Sequence, residues 1–210
     1  MLPVNKNYIM PAQAGDLPDL TRSRLRSLED SSILDSAEKI RLLALMNHSR
    51  WVTEVGFFYE EIDEAKKEEY AQLLDSLGLG HAINSYHHSR KGMVYWFQVT
   101  ANQELLDYVM TRRESLSILE AGVLYGYPVS HCLAFMRIIH QSSQRPHTID
   151  DYFLAGVYSE ASYKAEHEYF ENIWRSLEGI SPKIVKEARR SAESDPPRVT
   201  MPALFTPATA

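Results

Sequence analysis

The sequence is poor in the features that mark specialised classes of protein. It has one cysteine, Cys132, which excludes an internal disulfide framework and any multi-cysteine zinc or iron–sulfur site. Long hydrophobic runs are missing. Strictly apolar stretches stop at the length of Leu42 to Met46, far short of the ~20 residues of a membrane helix. The N-terminal MLPVNKNYIMPAQAGD has no charged start followed by an apolar core, so the expectation is a cytoplasmic protein without a membrane partner. Basic charge is not in excess. Lys plus Arg number 22 against 28 Asp plus Glu, a net charge of −6, which makes nucleic acid an unlikely partner for the chain as a whole.

The common catalytic signatures are absent too. There is no G-x-x-x-x-G-K-S/T phosphate cradle and no G-x-S-x-G nucleophile elbow,. Gly78-Leu79-Gly80 lacks a third glycine in register, so it is not a dinucleotide fingerprint,. None of the eight histidines follows a glutamate by three positions, and no two are spaced i, i+4. The helical di-iron and H-E-x-x-H zinc patterns are thereby excluded. No catalytic residue, metal site or cofactor is assigned from sequence.

What is present is an ordinary globular composition, 44% hydrophobic and 24% charged over 210 residues, enough for one domain or one domain with an appendage. Residues 1–18 carry Pro3, Pro11 and Pro18 without helical periodicity and read as an extended arm,. Two helices follow. The second opens on a capping box, Asp35 with Glu38, and buries a stripe including Ile40, Leu43 and Met46,.

Trp51 to Tyr59 is aromatic and β-branched, as a strand is,. Glu60 to Leu77 switches to helical period and is stopped by the glycines at 78 and 80,. His81 to His88 and Met93 to Thr100 form a hairpin whose loop ends in Gly92,. In its second strand Met93, Tyr95, Phe97 and Val99 are the expected core face. Asn102 caps a helix through Met110. The fold class is therefore α+β: a three-stranded, mostly antiparallel sheet in the order β-α-β-β-α, split βαβ-like and flanked by helices, with a C-terminal helical subdomain. Residues 19–113 hold the N-terminal helices and this unit, 114–193 the helical subdomain, and 194–210 a proline-containing tail.

In the helical part, Glu114 to Tyr125 is one helix, stopped by Gly126. Pro128 starts the next, with Val129, Cys132, Leu133, Met136 and Ile139 on its buried face. Thr148 caps a long segment to Leu177 with a break near Ser159, and Ser181-Pro182 starts a last helix,.

The candidate binding residues are His87, His88, Arg90, Lys91, Arg112 and Tyr127. His88, Arg90 and Lys91 offer cationic donors for a small anionic ligand. The alternative for these side chains is a solvated strand end. His87 and His88 are adjacent on a strand and so point to opposite faces. Cys132 is placed on an apolar face as a small hydrophobe rather than a nucleophile. Glu166, His167, Glu168 and Glu171 read as a solvated acidic face. The tyrosines of the helical half, Tyr125, Tyr127, Tyr152, Tyr158, Tyr163 and Tyr169, are either core edge or a contact surface.

From Leu124 to Phe135 the chain reads L-Y-G-Y-P-V-S-H-C-L-A-F. This resembles the helix-start signature, L-x-G-Y-P followed by A-F, of a family of uncharacterised archaeal proteins. The family pattern often carries paired cysteines after the proline. Ser130 and His131 stand there in this chain, with Cys132 following, a departure that weakens any metal or redox role, and the family has no established activity to carry over. Physically, glycine ends one helix, proline starts the next, and Tyr127 is expected to brace the corner.

The leading expectation is an interaction or regulatory protein, non-enzymatic and oligomeric, acting through a protein partner or self-association. A second is a small-molecule or anion-binding sensor or enzyme with a cleft of His, Arg and Tyr residues. A third is an RNA-binding accessory protein using Arg22, Arg24, Arg26 and Arg90, with Trp96 as a stacking platform.

Overall fold

The computed structural model describes residues 20–59, 63–88, 92–113, 115–142 and 158–194, and these hold eight helices and three strands. The arm at 1–18, the tail from 195, Thr148 and Tyr152 lie outside the described residues. The chain divides into two compact units, with the boundary between Thr111 and Arg112.

The first unit contains α1 (Arg22–Asp30), α2 (Ser36–Met46), β1 (Val52–Tyr59), α3 (Glu64–Ser76), β2 (Gly80–His88), β3 (Gly92–Thr100) and most of α4 (Gln103–Arg112). The sheet order is β1-β3-β2, and β3 runs antiparallel to both neighbours. β1 and β2 are therefore parallel to each other with β3 inserted between them, the split arrangement. α2 packs on β1 and α3 on β2. Leu105 N–H donates to Asn102 Oδ1 at 2.9 Å, so Asn102 does cap α4,.

The expected division of β3 into one core face and one outer face is corrected. Phe97 and Val99 are buried, but Met93 and Tyr95 are only half-buried, while Val94, Trp96, Gln98 and Thr100 are all buried. β3 is the central strand of the sheet, and a central strand is covered on both faces more readily than an edge,.

A buried carboxylate ties this unit together. Asp35 accepts from Glu38 N–H at 2.7 Å, and Glu38 Oε2 accepts from Asp35 N–H at 3.0 Å, completing the capping box. The same carboxylate also accepts, at Oε1, the N–H of Gly56 at 2.7 Å, and the Tyr70 hydroxyl lies 3.1 Å from Oε2. Gly56 sits in a bulge where the β1–β3 register slips between Val55 and Phe58, so its N–H is turned out of the ladder. Its φ is +65°, and a Cβ there would stand 3.0 Å from the Tyr70 ring. Only glycine fits this crossing. Tyr70 in turn stacks on Phe97 at 5.7 Å.

The second unit contains α5 (Ile118–Leu124), α6 (Val129–Phe135), α7 (Tyr163–Ile180) and α8 (Pro182–Ser194). α5 packs on α6, and α7 on α8. α5 starts later than the apolar pattern implied, because Ser117 and Glu120 form a capping box that fixes its first turn,. Ser159 pairs with Gln141 in an isolated bridge and α7 begins at Tyr163, while the part of the expected segment up to residue 157 lies outside the described residues. Ser181 caps α8, its Oγ accepting from Ile184 N–H at 3.2 Å.

The expected buried face of α6 is also corrected. The helix ends at Phe135, so Met136 and Ile139 lie beyond it and Met136 is exposed. The buried residues of α6 are His131, Cys132 and Ala134. The end is set by Arg137, at φ +58°. Arg137 N–H donates to Ala134 O at 3.0 Å and Ile138 N–H to Leu133 O at 2.9 Å, the paired bonds of a Schellman motif,.

Candidate functional site

The residues singled out from sequence are divided between the two units and the residues outside those described. His87 is exposed and His88 half-buried at the end of β2 in the first unit, opposite Met93 and Gly92. Arg112, which pairs with Glu120 at 3.6 Å, and Tyr127 belong to the second unit. Arg90 and Lys91 lie outside the described residues. The RNA platform is contradicted, since Trp96 is 0% exposed and offers no face to a base,. A Cβ at Gly78 would collide with the Arg24 guanidinium, so Arg24 lies over the end of α3, where helix carbonyls favour a cation. Among the described residues no three His, Cys, Asp or Glu side chains are grouped to hold a metal ion.

A different constellation stands out in the second unit, around α6 and the first turns of α7. Gly126, at φ +83°, ends α5. Pro128 then directs the chain into α6, which carries Ser130, His131 and Cys132 in succession. The hydrogen-bonded brace of this corner comes from α7, where the Tyr169 hydroxyl donates to Gly126 O at 3.1 Å. Tyr127 stacks on the His131 ring of α6 at 5.0 Å.

The chain re-enters beside α6 at Tyr158 and Ser159. Ser142 N–H donates to Tyr158 O at 2.7 Å, and Gln141 Nε2 donates to Ala134 O at 3.0 Å. These bonds hold Tyr158 edge-on to His131 at 6.2 Å and against Tyr163 at 5.2 Å. Phe170 closes the ring set, 6.4 Å from Tyr158.

Glu166 lies on α7 between Tyr163 and Phe170, and its carboxylate reaches Ser159, the neighbour of Tyr158. Its exposure is 2%, which corrects the reading of residues 166–171 as one solvated acidic face. Glu168 does stay outside, paired with Lys164 at 4.0 Å, and Glu171 meets Arg175 at 3.9 Å. Helix phase explains the difference. At 100° per residue Glu166 falls on the same stripe as Phe170, Ile173, Trp174 and Leu177, the buried residues of α7,. That phase was available in the sequence, but the acidic neighbours obscured it.

Glu166 Oε2 accepts from Ser159 N–H at 3.0 Å, and the Ser130 side chain also hydrogen-bonds to the carboxylate. Oε1 is buried without a hydrogen-bond partner. His131, also 2% exposed, has its Nδ1 in the same condition. A buried polar atom left unpaired costs about 1–3 kcal/mol, and here one falls on each of two neighbouring elements, α6 and α7.

The electrostatics of the cluster follow from its dryness. Burial pushes the Glu166 carboxyl above its ordinary range, against the opposing pull of the Ser130 and Ser159 donors. Burial lowers His131 to about 4. Cys132 is pushed up to about 12, by burial first and by the neighbouring Glu166 charge second. A cysteine nucleophile needs the reverse, a depressed thiol beside a protonated or basic imidazole. At neutral pH the cluster thus holds a thiol and a neutral imidazole, suited to hydrogen bonding rather than nucleophilic attack.

Compared with family models, with curated proteins and with solved structures, the chain matches none.

Proposed function

We propose that this chain is a regulatory protein that binds a small molecule in its helical second unit. The observation that carries the reading is the pair of unpartnered buried atoms, His131 Nδ1 and Glu166 Oε1, within a surround of Tyr127, Tyr158, Tyr163 and Phe170. Ligand sites are built in this way, from apolar and aromatic walls with a few polar groups that fix orientation. Tyr127 and Tyr163 are half-buried and form the edge of the cluster nearest solvent. The unreactive states of Cys132 and His131 support recognition over catalysis. We place the protein in the cytoplasm as part of the same proposal. No helix among the described residues is long and apolar enough to cross a membrane.

A thermal-shift screen of small amines, amides, alcohols and carboxylic acids tests the reading. A ligand at a hundredfold its Kd stabilises the folded state by about 2.7 kcal/mol. The expected result is a hit whose effect disappears in both His131→Phe and Glu166→Gln. Hits that persist in both variants, or a screen without hits, overturn it.

A second reading, self-association or docking to another protein, is favoured by a separate observation. Phe57 and Tyr59 project from one side of β1 at 39% and 51% exposure, and Ile138 is 61% exposed beyond α6. Light scattering over a concentration series tests it. A mass that rises with concentration and falls back in Tyr59→Ser or Ile138→Ser supports association, and a constant monomer mass excludes self-association.

A further inference from the structure

We infer that the ligand of the second unit is a small organic cation, whose ammonium group pairs with Glu166 Oε1 inside the aromatic surround. This rests on the small-molecule reading above and names its chemical class. The inference starts from charge. Glu166 is the only acidic side chain buried in the second unit among the described residues. Among the described residues the groups that act on it are Ser130, Ser159 and Cys132, and none of these is a cation. The basic residues of α7 turn elsewhere, Lys164 to Glu168 and Arg175 to Glu171. A buried carboxylate without a counter-charge among the described residues departs from the usual pairing of buried ions, and a bound ammonium supplies that partner,.

The ring geometry points the same way. Tyr163 and Phe170 stand three residues before and four residues after Glu166, so both flank it on one face of α7,. Tyr158 bridges them from the facing segment. Aromatic faces attract a desolvated cation and give nothing comparable to an anion. The neutral imidazole of His131 adds an acceptor or a donor without adding positive charge, so it does not repel an ammonium. An anionic ligand would instead meet Glu166 with no compensating base among the described residues.

Three probes of one shape decide it: n-butylammonium, n-butanol and n-butyrate, titrated into the full chain at constant ionic strength. Binding is read by calorimetry and by the 13C resonance of the Glu166 side-chain carboxyl. Butylammonium is expected to bind about tenfold or more tightly than the other two. It should move the Glu166 resonance to the position of an ionised carboxylate and lose about tenfold or more of its affinity in Glu166→Gln. Circular dichroism and the unfolding midpoint confirm that this variant folds, and Glu166→Asp, which keeps the charge, should retain part of the binding. Equal binding of butanol, preference for butyrate, or undiminished butylammonium binding in Glu166→Gln overturns the cation. If butanol binds and His131→Phe abolishes it, the small-molecule reading stands while the cation falls. If none of the three binds, the cation falls and the wider screen alone decides the reading beneath it.

Discussion

The two units each bury a glutamate, and the two carboxylates are treated in opposite ways. Glu38 in the first unit has both oxygens engaged, by Gly56 N–H, by Asp35 N–H and by the Tyr70 hydroxyl. Glu166 in the second keeps Oε1 unpartnered. Burial raises the carboxyl above its ordinary value in both, so desolvation does not separate them. The difference lies in what the surrounding backbone offers. At Glu38 a capping box and a β-bulge turn two N–H groups toward one side chain, and the carboxylate joins α2, β1 and α3. At Glu166 a single backbone donor and a serine serve one side of the group and leave the other open. A buried acid whose hydrogen bonds are filled reads as architecture. One half filled, at a measurable cost, reads as a place that something else completes.

Removing each carboxylate tests that contrast, and the largest effect is expected at Glu38. Glu38→Ala strands the buried Gly56 N–H, removes the acceptor of the part-buried Asp35 N–H and leaves the Tyr70 hydroxyl only Ile33 O, and should lower stability by about 2–3 kcal/mol in urea titrations,. Glu38→Gln should also be destabilising, because an amide presents one acceptor where the site needs acceptors on both sides. Glu166→Gln should be near neutral at pH 7, within about 1 kcal/mol. Its advantage over the native protein should grow as pH rises, since a carboxyl raised in the folded state loses its contribution as pH climbs through the folded value. Equal losses from Glu38→Gln and Glu166→Gln would erase the distinction.

The second unit should also show an acid dependence through His131. Its folded value is lowered from 6.5 to about 4. The contribution is therefore fully present above 6.5 and lost as pH falls toward 4. That gap corresponds to about 3 kcal/mol. Stability of the native protein relative to His131→Phe should decline by roughly this amount between pH 7 and 4. Parallel pH curves for the two proteins would mean that His131 is solvated.

Gly56→Ala sharpens the first half of the comparison. The substitution forces a Cβ at φ +65° against the Tyr70 and Phe97 rings, and about 2 kcal/mol should be lost. If Tyr70→Leu, which vacates the space, relieves most of that loss, the crossing of ring and backbone is confirmed as its source.

The sequence made the sheet and most of the helix starts legible, because the signals are local. Asp35 with Glu38, Asn102 and Ser181 sit within three residues of the N–H groups they satisfy,. The second role of Glu38 was not legible, since it depends on a bulge eighteen residues away that the alternation of β1 does not reveal. Trp96 was misplaced for a related reason. Alternation distinguishes the two faces of a strand but does not say that both are covered. Glu166 was legible in principle from helix phase, and His131 less so, because a helix as short as α6 has no periodicity to read. Of the described residues proposed from sequence, Tyr127 belongs to the site now described, through its stacking on His131.

Helix ends show the same limit and carry the smallest prediction. Four helices close with the same pair of bonds, at Gly78, Gly126, His48 and Arg137, all at positive φ. The two glycines were recognisable as stops, whereas His48 and Arg137 were not, because a non-glycine residue in the left-handed region leaves no sign in the sequence. Such a residue is strained by about 1 kcal/mol, part of which glycine returns through its more mobile unfolded chain. Arg137→Gly should therefore stabilise the protein by about 0.5–1 kcal/mol. His48→Gly should gain less, because the His48 ring stacks on Trp51 at 6.2 Å and that contact is lost,. The second unit thus stands to gain more than the first from the same repair. A larger gain at His48 than at Arg137, measured by thermal and urea unfolding, would show that the ring contact contributes nothing and that the strain at the end of α2 is the greater.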